Sequence, residues 1–204
     1  MVLILVLWVL LQTSFFQNFL VSKITQRLSK DLHTTVSIKK VDFELFDKMR
    51  LENTLVLDRN HDTLLYAGAL RLSLNDWFFL KNKIDLRFIG LDDALVKMNR
   101  STSPEWNYQF IADYFNSRSS SGSSNNKTIN LNLRIISLKN VTIFQQDKWI
   151  GTDMFVSVKN LRLEAEELNL ARRKLNIRQI NMEGPVFAQF DYDGLRPPKK
   201  KTTG

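Results

Sequence analysis

Few residues in this chain have the types and spacing that enzyme or metal chemistry requires. The 204 residues include no cysteine and only two histidines, His33 and His61, so thiolate chemistry is excluded and little material remains for a histidine site. Adjacent carboxylates occur at Asp92 and Asp93, but neighbouring side chains on a strand point to opposite faces, which favours a turn over a catalytic dyad. Glycine-rich phosphate loops and nucleophile-elbow motifs are missing. We therefore expect no enzyme activity, no metal and no cofactor.

The charge pattern does not favour a nucleic-acid partner. The chain carries 29 Lys and Arg against 21 Asp and Glu, a formal net charge of +8. These basic residues alternate along apolar stretches and cluster only at residues 172–174 and 199–201. A mild positive excess suits a surface close to anionic lipid. We predict no nucleic-acid binding.

The most hydrophobic stretch is the N-terminus, which opens with eleven consecutive apolar residues. Twenty residues make about 30 Å of helix, the thickness of a bilayer's hydrocarbon core. We predict a transmembrane anchor over residues 1–20. No basic residue precedes Lys23, and we therefore also consider that this anchor is the end of a longer, truncated membrane span. A signal-like segment and a buried core helix remain alternatives. The predicted anchor side chains are Leu3, Leu5, Leu7, Trp8, Leu10, Phe15, Phe16 and Phe19.

A second pattern overlaps the end of this stretch. Apolar residues recur every four positions from Phe16 to Leu32, with Lys23, Arg27 and Lys30 on the remaining surface. This spacing is typical of an amphipathic helix. We predict a coupling helix over residues 16–32, between the anchor and the rest of the chain.

After Leu32 the apolar period changes from four to two, which predicts strands. The predicted fold class is mainly β, with the N-terminal helix and one short internal helix. We expect a first β segment over residues 33–115, which includes the short helix at 105–115, and a second β segment over residues 128–193. The Ser- and Asn-rich residues 116–127 are typical of a flexible linker, and residues 194–204 of a basic tail.

The strands contain a degenerate repeat. Four segments that start at Met49, Ile89, Ile136 and Ile180 share one pattern: a strand, a two-residue polar corner and a second strand, at intervals of 40 to 47 residues. The corner is either a tight turn or a sharp bend. Units of this kind bury their apolar faces by stacking side by side. We therefore predict repeated antiparallel strands that form an elongated open groove, while a closed sandwich with a packed core would show the same alternation.

The side chains predicted to line this groove are the apolar ones of the alternating strands. They are Leu70, Leu72, Leu74, Ile84, Leu86, Phe88, Val96, Met98, Leu131, Leu133, Ile135, Leu175 and Ile177.

Several short motifs occur in an order that resembles the N-terminal region of TamB-like proteins of the AsmA superfamily, in the version found in Bacteroidetes-type bacteria. They are TLLYAG at residues 63–68, DWFF at 76–79, WNYQF at 106–110 and DGLRPP at 193–198. The resemblance implies a single-pass inner-membrane helix followed by a long periplasmic β-groove that carries phospholipid towards the outer membrane. It implies phospholipid and the inner membrane as partners, and an outer-membrane barrel partner engaged through a C-terminal region outside this chain. No catalytic residue is implied.

Three functions remain open on the sequence. The first is a groove segment for phospholipid transport and outer-membrane biogenesis. The second is an assembly factor that chaperones strands of outer-membrane or secreted β-barrel proteins by edge pairing. The third is a purely structural anchor domain.

Overall fold

The computed structural model describes residues 13–44, 48–74, 83–120, 128–169 and 174–196. These residues form two helices and nine strands. The helices are α1 (Ser14–Leu32) and α2 (Gln109–Ser120). The strands are β1 (Val36–Ser37), β2 (Lys40–Glu44), β3 (Lys48–Leu57), β4 (Thr63–Leu74), β5 (Lys83–Arg100), β6 (Thr128–Asp147), β7 (Thr152–Asn169), β8 (Lys174–Glu183) and β9 (Val186–Asp191). The chain is mainly β, as the alternation predicts.

All nine strands belong to one open sheet. Its order is β1-β3-β4-β5-β6-β7-β8. In addition, β2 pairs with β3, and β9 pairs with β7. The prediction that all strands are antiparallel is wrong at one place, because β5 and β6 pair in parallel. The segment between them contains α2 and returns the chain to the end of the sheet from which β5 started, and parallel neighbours require such a crossover.

Helix α1 covers the predicted coupling helix and starts two residues earlier. The Thr13 hydroxyl accepts a hydrogen bond from the Phe16 amide, and His33 ends the helix with φ of 53°. The apolar side of α1 packs on the sheet through Val21, Ile24 and Leu28. Within the described parts of the chain, no helix is both long and apolar enough to cross a membrane. Residues 1–12, most of the predicted anchor, lie outside the described residues.

Helix α2 differs in its bounds from the predicted helix at 105–115. The residues before Gln109 are hydrogen-bonded to the end of β5. The Asn107 backbone amide donates to the Asn99 carbonyl at 2.9 Å, and the Asn107 side-chain oxygen accepts from the Asn99 backbone amide at 3.0 Å. Phe110 is buried in the core, and the helix continues from it to Ser120. Residues 116–120, expected to belong to the linker, are therefore helical. Residues 121–127 lie outside the described residues.

The polar corners of the repeat are bends, and each contains a residue with left-handed backbone. Asn53, Asp93 and Asn140 have φ of 49°, 52° and 52°, inside β3, β5 and β6, and Gly184 has φ of 58° between β8 and β9. Asn and Asp adopt this conformation more readily than other side-chain-bearing residues. Gly68 of β4 lies beside the bend, where an added Cβ would stand 3.2 Å from the Cβ of Asp93.

The bends lie next to one another across the sheet. Asp92 pairs with Lys139 and Ala94 with Val141, so the bent residues Asp93 and Asn140 face each other between these pairs. The Asn140 side-chain amide donates to the Asp93 carboxylate at 2.9 Å. Because each bend adds a residue to the alternation, apolar side chains before and after it share one face.

Candidate functional site

The paired residues of β3 to β9 define a continuous surface, which we call the apolar face. Strand pairing places these residues in four rows that cross the sheet. On one side of the bends the rows are Met49, Leu72, Ile89, Ile136, Leu163 and Ile180, and Leu51, Leu70, Leu91, Leu138, Leu161 and Met182. On the other side they are Thr54, Ala67, Ala94, Val141 and Val158, and Val56, Leu65, Val96, Ile143, Val156 and Phe187. None of these side chains is charged, and Thr54 is the single polar one.

The row that contains Thr54, Ala67 and Val141 lies next to the bends. It carries the shortest side chains and is the most deeply buried of the four rows. Ala67 is 0% exposed and Val141 is 1% exposed. Both belong to a cluster with Leu70, Leu138 and residues of the other flanking rows. An alanine on a flat sheet stays open between longer neighbours, so its complete burial means that the side chains of the flanking rows close over it.

The two ends of the apolar face differ in their cover. At β3 and β4, side chains of α1 and α2 pack on it, and Phe110 is buried together with Leu51 and Val56. At β8 and β9, Met182 is 50% exposed and Phe187 is 62% exposed. The same rows therefore run from a covered end to an open end.

The opposite face of the sheet carries paired charges on one side of the bends, whereas beyond the bends it includes the apolar side chains of Leu95, Phe144 and Phe155. Arg71 donates to Asp92 at 2.7 Å, and Glu164 accepts from Arg162 at 2.9 Å and from Arg178 at 2.7 Å. The hydrogen bonds from Arg178 and Arg162 hold the pKa of Glu164 below its usual range. Pairs as exposed as these contribute little stability, and we interpret this side as the one that faces water.

A cleft of about 630 Å³ lies where β5, β6, β7 and β9 end together. Its lining combines methionine, amide and aromatic side chains. It is formed by Lys97, Met98, Asn99, Phe144, Gln145, Gln146, Asp153, Met154, Phe155, Ala188, Gln189 and Phe190. Paired positions Met98, Gln145, Met154 and Gln189 form a fifth row across the sheet. The fifth row contains two glutamines, so the almost wholly apolar character of the four inner rows ends at the cleft.

A buried ion pair closes the same end of β5 and β6. Arg100 donates from Nε to Oδ1 of Asp147 at 2.7 Å and from a terminal nitrogen to Oδ2 at 2.6 Å. The hydrogen bonds from Arg100 lower the pKa of Asp147, and those to Asp147 raise the pKa of Arg100. The guanidinium also stacks on Trp106 at 4.6 Å from the ring centroid. The pair ties the parallel strands to the segment that leads into α2.

The structure places the predicted lining residues on both faces. Leu70, Leu72 and Val96 belong to the apolar face, and Met98 lines the cleft. Leu86 and Leu133 lie in a buried cluster with Ala165 and Leu168 of β7. On β8, Ile177 pairs with Ala165, and Leu175 pairs with Leu168. For Leu74, Ile84 and Leu131 only backbone pairing is described: Leu74 and Leu131 both pair with Leu86, and Ile84 pairs with Ile129.

Phe88 and Ile135 differ from the expectation, since they lie on the charged face. A register shift between Leu86 and Phe88 moves Phe88 across the sheet, where the Arg71 guanidinium lies 5.5 Å from its ring centroid. Ile135 pairs with Phe88 on one side and with Glu164 on the other. Strict alternation from Leu86 and Leu133 cannot reveal this bulge.

The predicted anchor residues fall mostly outside the described chain. This applies to Leu3, Leu5, Leu7, Trp8 and Leu10. Phe15 is part of the α1 backbone, Phe16 is half-buried, and Phe19 is 50% exposed. The Lys23 ammonium lies 5.7 Å from the Phe19 ring centroid.

The prediction of lining residues from alternation within single strands does not include much of the apolar face. Met49, Leu51, Leu161 and Leu163 are among the residues that it lacks. The repeat held part of the missing signal, because its apolar positions on both sides of each corner coincide with the rows. In the residues that the structure describes, no group of three or more His, Asp or Glu is placed to hold a metal ion.

No protein-family model and no curated protein sequence matches the chain.

Proposed function

We propose that the apolar face binds the acyl chains of phospholipid, and that the chain is a membrane-attached β-groove segment in bacterial phospholipid transport and outer-membrane biogenesis. One observation carries the proposal: four uncharged rows each cross at least five neighbouring strands, and three of them end in exposed residues on β8 or β9. Contiguous exposed apolar side chains are typical of interaction sites.

The chemistry of this surface favours hydrocarbon over a peptide as its occupant. The strands use their backbone N–H and C=O groups to pair with one another, so the face offers almost only apolar side chains. A peptide lying on it would bury its own polar backbone groups without partners, which is unfavourable. An acyl chain has no polar groups to satisfy, and each buried CH₂ contributes about 0.8 kcal/mol.

The motif resemblance to TamB-like proteins supplies the cellular setting of the proposal. It supports attachment to the inner membrane, a position of the strands in the periplasm, and an outer-membrane barrel partner reached through a further region. The charged opposite face is compatible with an aqueous compartment on that side.

Photo-crosslinking from the two faces tests the proposal. A benzophenone amino acid at Val96, Ile143 or Met182 places the reactive group on the apolar face of the full chain in native membranes. Substitution of the preceding residue, Leu95, Thr142 or Asn181, is the matched control, because adjacent strand residues point to opposite faces. We expect phospholipid adducts several-fold more often from the first set, measured by mass spectrometry. Equal capture from both sets would refute the groove.

A second function, chaperoning of barrel strands, is favoured by a different observation. Strands β8 and β9 pair on one side with β7, and no other strand of the described chain pairs with them. Such an edge can accept an added strand. Crosslinks to barrel proteins from Asn181 and Ala188, together with an absence of lipid adducts from Val96, would favour this function over lipid transport.

A further inference from the structure

We propose that the exposed side of α1 docks on an anionic bilayer surface, so that this helix lies between the lipid headgroups and the sheet. The inference deepens the proposed function, on whose membrane attachment it rests, because it names the surface of the chain that meets the bilayer. That surface is a single line of side chains, which we call the α1 stripe. It consists of Phe16, Phe19, Lys23, Arg27 and Lys30.

Helical geometry and direct contacts make the α1 stripe continuous. Its members follow one another at intervals of three or four positions, so they lie on one side of the helix. The Phe16 and Phe19 ring centroids are 6.5 Å apart, and the Lys23 ammonium lies 5.7 Å from the Phe19 centroid. Phe19 is 50% exposed, and the three basic side chains are exposed. Aromatic rings therefore occupy the start of the stripe and cations its end.

The apolar side of α1 has its partner within the fold. Val21, Ile24 and Leu28 pack against the core cluster on the sheet, and Leu32 is buried in that cluster. An amphipathic helix that binds a membrane by itself inserts its apolar side into the lipid. Because the sheet occupies that side here, contact between α1 and a bilayer has to use the α1 stripe.

The charge of the α1 stripe is complementary to anionic headgroups. Arg27 lies 3.7 Å from Asp31, a carboxylate that also accepts from the Tyr114 hydroxyl at 3.2 Å. None of the ion pairs among the described residues involves Lys23 or Lys30. Three cations against one carboxylate leave an excess of positive charge, and Lys and Arg at a membrane surface are attracted by anionic lipid.

The order of residues along the α1 stripe matches the layers of a bilayer. Its aromatic end follows the eleven consecutive apolar residues of the N-terminus, and aromatic side chains next to apolar segments, with Lys and Arg beyond them, are typical of membrane interfaces. Seven residues separate Lys23 from Lys30, which is about 10 Å along a helix axis. A headgroup layer is only about 5–8 Å deep.

This comparison of lengths determines how α1 is oriented. All three cations reach the headgroup layer together only when the helix axis is inclined towards the bilayer plane. The sheet, which packs on the other side of α1, is then held about one helix diameter, roughly 10–12 Å, from the headgroups.

A fluorescent label beside the α1 stripe tests the docking. The chain has no cysteine, so Gln26→Cys introduces a single attachment site on the exposed side of α1. The labelled full chain is reconstituted into vesicles of phosphatidylcholine, with or without about one-third phosphatidylglycerol. Quenching by a phospholipid that carries a nitroxide on its headgroup is measured. We expect several-fold stronger quenching in the vesicles that contain phosphatidylglycerol.

Two triple variants of equal net charge separate the α1 stripe from the charge of the whole chain. Replacement of its three basic residues by glutamine should reduce quenching to the level in phosphatidylcholine alone, because each Lys or Arg at the surface adds to the attraction. The same replacement at three exposed lysines of the sheet should leave quenching unchanged. These control positions are Lys139, Lys148 and Lys159. Circular dichroism establishes folding of each variant.

The outcomes separate this inference from the proposed lipid groove. Equal quenching of the unaltered chain in both kinds of vesicle, an equal loss in the two triple variants, or failure of the chain to float with the vesicles would overturn the docking of α1. Photo-crosslinking from Val96 then still decides the groove. Quenching as expected, together with no phospholipid adduct from Val96, would refute the groove and keep the α1 stripe as a membrane-docking surface.

Discussion

At the scale of single residues, the register of β5 and β6 places Arg100 next to Asp147 and so forms a buried ion pair. The residues are 47 positions apart and meet because β5 and β6 are parallel. Asp147 also accepts from the Ile150 amide at 3.0 Å. Both side chains are largely buried, so each charge depends on the other for compensation.

We expect Asp147→Asn to lower the free energy of unfolding by about 3 kcal/mol at neutral pH, because it leaves the Arg100 charge buried without its counter-ion. The folded-state pKa of Asp147 is lowered by Arg100, whereas in the unfolded chain the carboxyl titrates at about 3.9. The pair's contribution is therefore fully present above that value and is lost as pH falls through the lower, folded-state pKa. Urea unfolding as a function of pH measures it.

The control for this prediction is Asp193→Asn, which removes an exposed carboxylate and should change stability little. A difference between wild type and Asp147→Asn that stays constant down to the acid end of the range would contradict the pH dependence.

At the scale of elements, the bends are the feature that the sequence indicates best. The repeat locates the corners at residues 52–53, 92–93, 139–140 and 183–184, and the second residue of each has positive φ. Asn, Asp and Gly are the residues suited to that backbone, so the signal is local. The bulge near Leu86 has no such marker, and the face of Phe88 was consequently not predictable.

Asn140 provides the test of the bend. Asn140→Val forces a β-branched residue into left-handed backbone and should destabilise the protein by about 1–2 kcal/mol more than Asn140→Gly, which loses only the exposed hydrogen bond to Asp93. Chemical denaturation of the two variants gives the comparison.

Lys139→Val and Lys139→Gly serve as the control pair, because Lys139 precedes the bend and is not among the residues with positive φ. There the order should reverse, with valine favoured over glycine in a strand. The same order at both positions would show that the bend places no special demand on Asn140.

At the scale of the whole molecule, the sheet is open and its apolar face is unevenly covered. Helices protect the β3 and β4 end, whereas β8 and β9 expose apolar side chains along an edge. Exposed edges of this kind pair with other chains. Within the described residues, the covered end packs against α1 and α2, whereas apolar side chains at the open end are exposed.

We expect the full chain to self-associate through this edge at micromolar concentration. Ile180→Lys with Phe187→Lys should reduce the associated fraction several-fold, measured by sedimentation velocity, because lysine on an edge disfavours apolar contact and strand addition. Asn181→Lys with Ala188→Lys adds the same charge to the other face of the same strands and should reduce association less. Equal effects of the two double variants would assign the association to charge alone.

The amino-acid sequence by itself determines the strand content, the approximate extent of α1 and the positions of the bends. Each of these follows from local signals: apolar period, and Asn, Asp or Gly at corners. The face of a residue is also a local property wherever alternation is unbroken, as for Leu70 and Leu72.

Tertiary structure alone decides the parallel pairing of β5 with β6, the helical state of residues 116–120 and the burial of Phe110 on β3. These features depend on contacts between residues that are distant in the chain. Burial of Phe110 stabilises α2, although the end of this helix is rich in serine. The crossover that contains α2 makes β5 and β6 parallel and so brings Arg100 next to Asp147. Local periodicity carries no information about such partners, because the free energy of these contacts arises only when the strands have assembled.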